Sequence, residues 1–223
     1  MFQNAGIDIA FALDIDPDAK NTFTQNFPET IFCNKSITKL TPSDLQPTLD
    51  KYKDSYKLFC GCAPCQPFTK QNTESPKRET RKNLLSKFGR VIERHRPDFV
   101  FVENVPGLQK VPTYKRGPLP EFEALLGRLD YHITYGIVAA QGYGAPQLRR
   151  RFVLLASRHG EINIPLPTHG KDHGAPYKTV RDAIVDLPAI AAGEIYKEPK
   201  VLNHRAAKLS ELNRRRIKSS DHD

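Results

Sequence analysis

Short apolar runs that end in polar, glycine or proline clusters alternate along this chain with longer segments whose apolar residues recur at helical spacing. That alternation leaves few architectures open, because each strand and each amphipathic helix must bury one face against the other kind of element. Gly6 to Asp14 reads as a strand ending in an acid, and Pro17 to Phe27 as a helix with Ala19, Phe23 and Phe27 on one face. Lys57 to Cys60 reads as a short strand entering a Gly/Pro/Cys loop, and Asn83 to Arg94 places Leu84, Leu85, Phe88, Val91 and Ile92 at helical spacing. Phe99 to Val102 is an apolar strand closed by Glu103-Asn104-Val105-Pro106-Gly107. A helix over Leu119 to Leu129, an alternating strand over Tyr131 to Ala139 and a buried strand over Arg151 to Ala156 complete the series. The pattern predicts an α/β domain with a mostly parallel sheet. Sites in such sheets form at the carboxyl ends of the strands. The polar clusters after Asp14, Cys60 and Val102 lie at such ends.

The 223 residues fit one large domain or a domain and a half. The character changes after Ile164, where Pro165, Pro167, Gly170, Gly174 and Pro176 interrupt regular structure. From Asn203 onward Arg, Lys and His dominate, and Lys208 to Lys218 has the makings of a short basic helix. The expected division is therefore 1–164 as the α/β domain and 165–223 as a basic linker. A net charge of +9 and a pI near 9.4 favour a polyanionic partner, since neutralising phosphates releases condensed counterions. No apolar run approaches the ~20 residues a bilayer span requires, and Met1-Phe2-Gln3-Asn4 has no signal-peptide character. A cytoplasmic chain is expected, nucleoid-associated if prokaryotic, with no membrane partner. Its four cysteines, Cys33, Cys60, Cys62 and Cys65, are expected as thiols.

The segment Cys60-Gly61-Cys62-Ala63-Pro64-Cys65-Gln66-Pro67-Phe68 is the densest in chemistry. Cys62 and Cys65 have the gap of a zinc knuckle, yet no second ligand pair follows at matching spacing, with Cys33 isolated and His95 beyond a helix. Prolines on both sides of Cys65 hold its backbone extended and rigid, which suits the presentation of a nucleophile. Small buried hydrophobes are the bland alternative, and the loop by itself leaves the two equal.

Three segments together carry a resemblance. Pro64-Cys65-Gln66-Pro67-Phe68-Thr69 resembles the nucleophile loop of the cytosine-C5 DNA methyltransferases, Glu103-Asn104-Val105 resembles that family's next signature, and Gln147-Leu148-Arg149-Arg150-Arg151 after Tyr143-Gly144-Ala145-Pro146 resembles its Gln-x-Arg-x-Arg element. They occur in the family's order and extend the likeness over nearly the whole chain. The resemblance implies a Rossmann-like domain that uses S-adenosyl-L-methionine to methylate carbon 5 of a cytosine flipped out of double-stranded DNA, as in restriction-modification. It implies Cys65 as the nucleophile that adds to carbon 6 and Glu103, in its protonated form within a dry pocket, as donor to ring N3. Arg151 is implied as a contact to the base and Arg149 as support for the nucleophile loop. Gln66, Asn104 and Gln147 are implied as substrate contacts. For the cofactor it implies Asp14 at the ribose hydroxyls, Ile15 on the adenine, Ser36 and Ile37 near the adenine amine, and Pro64 and Leu84 along the pocket wall. Ser36 departs from the Asp usual in the family.

Against that family pattern the chain lacks the first glycine-rich cofactor loop before Met1 and, after about Arg216, the target-recognition domain and C-terminal elements. Three readings stay open: a fragment of a longer enzyme, one subunit of a split enzyme whose partner is a second chain carrying the recognition domain, or the product of a truncated gene. The alternatives are an inactive or split DNA-associating fragment, and cytosine methylation in RNA. No metal is expected.

Overall fold

The computed structural model describes residues 2–62, 84–110, 118–198 and 204–220. Pro64, Cys65 and Gln66 lie outside the described residues.

The first elements are β1 (Phe11–Leu13), α1 (Pro17–Asn26), β2 (Ile31–Cys33) and α2 (Pro42–Lys51), with β1 and β2 paired in parallel through Ala12↔Phe32. The strand expected from Gly6 is shorter, because Gln3–Ala5 form a 3-10 turn that Gly6 closes in the left-handed conformation, at φ 72°. Helix α1 starts where its sequence directs: the Asp16 carboxylate accepts the Asp18 N–H at 2.9 Å, and Pro17 takes the first helical position, where no N–H is needed. Helix α2 is held at its start by Asp44, whose carboxylate accepts from the Thr41 N–H at 2.9 Å and the Thr41 hydroxyl at 2.7 Å. It tolerates Pro47 in its interior.

The larger sheet contains β3 (Leu58–Gly61), β4 (Phe99–Asn104), β5 (His132–Ala139) and β6 (Arg150–Ser157), in the order β3-β4-β6-β5. Helix α3 (Leu84–His95) precedes β4, and α4 (Pro118–Arg128) precedes β5. Strand β3 runs parallel to β4, whereas β6 is antiparallel to both β4 and β5. Thus β3, β4 and β5 share a direction and β6 alone runs against them. The sheet is mixed because the link from Ala140 to Arg149 is a short local connection containing a 3-10 turn over Ala140–Tyr143, which only an antiparallel neighbour can accept.

The register decides the core. Val100↔Ala156, Val102↔Leu154 and Asn104↔Phe152 are cross-strand pairs, and all six residues are buried on one face. Against it pack Leu85, Phe88 and Ile92 of α3 and Leu119, Phe122 and Leu126 of α4, with the Phe88 and Phe122 rings stacked 6.2 Å apart. Each such side chain stabilises the fold by about 1.5–3 kcal/mol through burial. Ile37 packs against the same cluster and ties the N-terminal elements to it. At the sheet's other end Asp98 accepts from the Lys57 N–H at 2.8 Å and meets His159 Nε2 at 2.7 Å, joining the starts of β3 and β4 to the end of β6.

Beyond Gly170 the described chain buries no residue. It contains α5 (Val180–Ile184), capped by the Thr179–Asp182 box, and α6 (Glu211–Lys218), capped by the Ser210 hydroxyl. Among the described residues, no helix is long and apolar enough to cross a membrane.

Candidate active site

The parallel register ends with Gly61 beside Val102, so the next residues of β3 and β4, Cys62 and Glu103, emerge side by side at the carboxyl edge of the sheet. Alternation then sorts the side chains. Val102 and Asn104 point into the core, and Glu103 points to the opposite face. Gly61 shares the core face, where a Cβ would stand 2.7 Å from the Phe88 ring. The absence of a side chain lets the strand end lie this close to α3 and fixes where Cys62 leaves the sheet.

Arg151 comes to the same place from β6. Glu103 pairs directly with Val153, and Arg151, two residues earlier, lies on the same face as its diagonal neighbour. A guanidinium on a long stem spans that diagonal: Arg151 Nε lies 2.7 Å from Glu103 Oε1. Its Nη1 donates to the Arg150 carbonyl at 2.9 Å, which fixes the plane of the group. The other carboxylate oxygen, Oε2, accepts from the Cys62 thiol at 3.0 Å. The pair keeps some access to solvent, with 29% of the Glu103 side chain and 22% of the Arg151 side chain exposed. A charge-assisted bond of this kind is roughly twice as strong as a neutral one, so Glu103 is held in one orientation at the mouth of the β3 loop.

Asn104 is buried, and its Oδ1 accepts the Val105 N–H at 2.9 Å, turning the chain out of β4 into the 3-10 helix Pro106–Lys110. Gln147 and Arg149 are exposed just before β6. The Arg149 carbonyl accepts from the Ala140 N–H at 2.8 Å, which closes the connection from β5.

The residues implied at the cofactor lie at the carboxyl ends of β1 and β2. Asp14 follows β1, its Oδ1 accepting the Asp16 N–H at 2.9 Å and its carbonyl the Asn34 amide at 2.9 Å. Its side chain is exposed, and Ile15 beside it is 69% exposed, so an acid and an apolar surface stand together and available. That donor set fits a ribose diol next to a purine. Ser36 caps the 3-10 helix Ile37–Lys39 through a 3.3 Å bond from the Thr38 N–H. Ile37 is directed largely to the core, and Leu84 is half-buried at the start of α3.

Sequence alone assigns Cys62 no role beyond a metal pair that has no second pair to join. Its position is legible by parity, because it follows a core-facing glycine at a strand end. Its bond to Glu103 is not, since that depends on the pairing of β3 with β4.

Comparison with known proteins agrees with this architecture. The chain is 35% identical over 216 residues to the Type II methylase M.HgiDII of Herpetosiphon aurantiacus, covering 96% of this chain and 58% of that protein. It is 29% identical to the Type II methyltransferase M.AquIA of Picosynechococcus, over 84% of this chain and 83% of that protein. The chain thus spans less than two thirds of the length of relatives such as M.HgiDII. Among solved structures, a DNA modification methyltransferase encoded within a prophage of E. coli superposes with a TM-score of 0.67 at 26% identity, covering 85% of this chain and 51% of that one. Spodoptera frugiperda DNMT2, at 24% identity and a TM-score of 0.57 over 78% of this chain and 52% of that one, shares the fold. The family model for C-5 cytosine-specific DNA methylases matches residues 1–222, and the chain belongs to that family.

Proposed function

We propose that this chain carries the catalytic residues for transfer of a methyl group from S-adenosyl-L-methionine to carbon 5 of a flipped-out cytosine in double-stranded DNA. The observation that supports this best is the Glu103–Arg151 pair at the carboxyl edge of β3 and β4, next to the strand end from which the Cys65 loop departs. Relatives named as Type II methylases and methyltransferases support the same reading.

In this mechanism the Cys65 thiolate forms a bond to cytosine carbon 6, and the ring's displaced electron pair is accommodated by a proton that Glu103 takes up from solvent as the base enters and delivers to N3. Arg151 holds Glu103 and presents its remaining N–H groups to the base. The cofactor supplies a methyl group on a sulfonium, which carbon 5 receives. Loss of the carbon 5 proton to water, with return of the N3 proton to Glu103, then expels the Cys65 thiolate and restores the ring. Asp14 and Ile15 would hold the ribose and adenine ends of the cofactor, with Ser36, Ile37, Leu84 and Pro64 contributing to that pocket. Arg149 would support the loop, and Gln66 and Gln147 would contact the substrate, whereas Asn104, expected as a third contact, is buried on the core face with its Oδ1 taken by the Val105 N–H and shapes the turn after β4 instead. Flipping the base costs a few kcal/mol, offset by contacts between the basic chain and the DNA backbone.

The test is incubation with double-stranded DNA and methyl-labelled S-adenosyl-L-methionine, followed by mass spectrometry of the released nucleosides. Label in 5-methyldeoxycytidine, reduced to background by Cys65→Ser, is the expected result. Label on a different atom or base, or a Cys65→Ser variant as active as the parent, would overturn the assignment.

A further inference from the structure

We propose that Cys62 is a positioning residue for Glu103, its thiol holding the carboxylate oxygen that faces the target base. The inference rests on the reading of Glu103 as the donor to N3. Arg151 Nε occupies Oε1 at 2.7 Å, and the Cys62 Sγ–H donates to Oε2 at 3.0 Å, so each carboxylate oxygen has its own partner. The two partners come from different strands on either side of β4, which fixes the carboxylate against rotation from both directions. Cys62 follows Gly61, whose bare Cα lets the end of β3 lie against the Phe88 ring.

A thiol is a weak donor. It orients Oε2 without binding it strongly, so when a proton from solvent joins Oε2 the thiol gives way to the ring nitrogen, which accepts that proton, while Arg151 keeps its hold on Oε1. Glu103 is therefore oriented before the base arrives, and the exchange at Oε2 places it on N3. The charged groups that the described contacts bring to the thiol are Glu103 from β4 and, through it, Arg151 from β6.

The interaction can be read without methyl transfer, by the pH dependence of iodoacetamide alkylation at each cysteine, resolved by peptide mass spectrometry. A carboxylate beside a thiol disfavours the thiolate. Glu103→Gln should therefore speed Cys62 alkylation at pH 8 by about three- to tenfold while leaving Cys33 unchanged. A Cys62 rate that moves no more than that of Cys33 would overturn the proposal. Should Glu103→Gln unfold the protein, Cys33 would accelerate as well, and the Cys62 variants then decide. Adduct formation on 5-fluorocytosine DNA should shift its pH dependence in Cys62→Ala and regain the parental profile, within about threefold in rate, in Cys62→Ser. Equal losses in both variants with an unmoved profile would mark a purely structural cysteine and overturn the role. A parent that shows the Cys62 shift yet forms no adduct would contradict the proposed reaction and leave the thiol–carboxylate bond standing.

Discussion

Glu103 and Arg151 meet because a parallel and an antiparallel register converge on one strand, and the chemistry of the pair depends on the shape of the guanidinium. Arg151 uses Nε toward Glu103 and Nη1 toward the Arg150 carbonyl, an arrangement that a single ammonium on a flexible stem cannot reproduce. Arg151→Lys should therefore keep the positive charge but lower the methyl-transfer rate by about tenfold or more, equivalent to ~1.4 kcal/mol in the barrier. Single-turnover kinetics would measure it, and a Lys variant within twofold of the parent would remove the forked geometry from the mechanism. Both residues are identifiable from the order of the motifs along the chain. Their pairing is not, because the direction of β6 decides whether Arg151 lands on the face of Glu103. The proposed nucleophile, Cys65, is marked in the sequence by the Pro64-Cys65-Gln66 motif and lies outside the described residues.

At the scale of elements, the sheet is pinned at the end away from Glu103 by Asp98. Burial pushes the Asp98 carboxyl up, but hydrogen bonds from His159 and the Lys57 N–H outweigh it and hold the group below its ordinary 3.8. A carboxylate with a depressed pKa stabilises the fold above its unfolded value and loses that contribution as pH falls through the folded value. Thermal unfolding of Asp98→Asn should thus show its full deficit at neutral pH and converge on the parent as pH falls below about 4. A deficit independent of pH would assign Asp98 a packing role instead. The long periodic helices α3 and α4 and the strands β4, β5 and β6 are readable from the sequence, as their apolar spacing mirrors the burial. Three elements escape it, the five-residue α5 among them. β2 has only three residues, of which Ile31 is half exposed, too few to display a period. α2 contains Pro42 and Pro47, which read as breaks, although Thr41 and Asp44 form the start signal of a helix. The reversed β6 is also hidden, because strand direction follows from the length and path of a connection and leaves no mark in alternation.

For the molecule as a whole, the basic surplus is carried into the exposed C-terminal stretch, where α6 displays Arg214, Arg215, Arg216 and Lys218. This stretch has no core of its own among the described residues, so its charges are available to a phosphate backbone. Replacing Arg214, Arg215 and Arg216 by Ala should flatten the dependence of log K for DNA on log salt by up to ~3, near 0.9 for each phosphate no longer neutralised. Fluorescence anisotropy across a salt series would report it, and an unchanged slope would place the DNA path elsewhere.

In the proposed reaction Cys65 attacks cytosine in DNA while the Glu103–Arg151 pair serves the ring. Its most direct measurement is covalent capture on double-stranded DNA containing 5-fluorocytosine, with labelled S-adenosyl-L-methionine, because the fluorine cannot leave as the C5 proton does. The expected result is a labelled protein–DNA adduct whose linkage maps to Cys65 and disappears in Cys65→Ser while noncovalent DNA binding persists. An adduct of equal yield in Cys65→Ser, or a linkage at another residue, would contradict it.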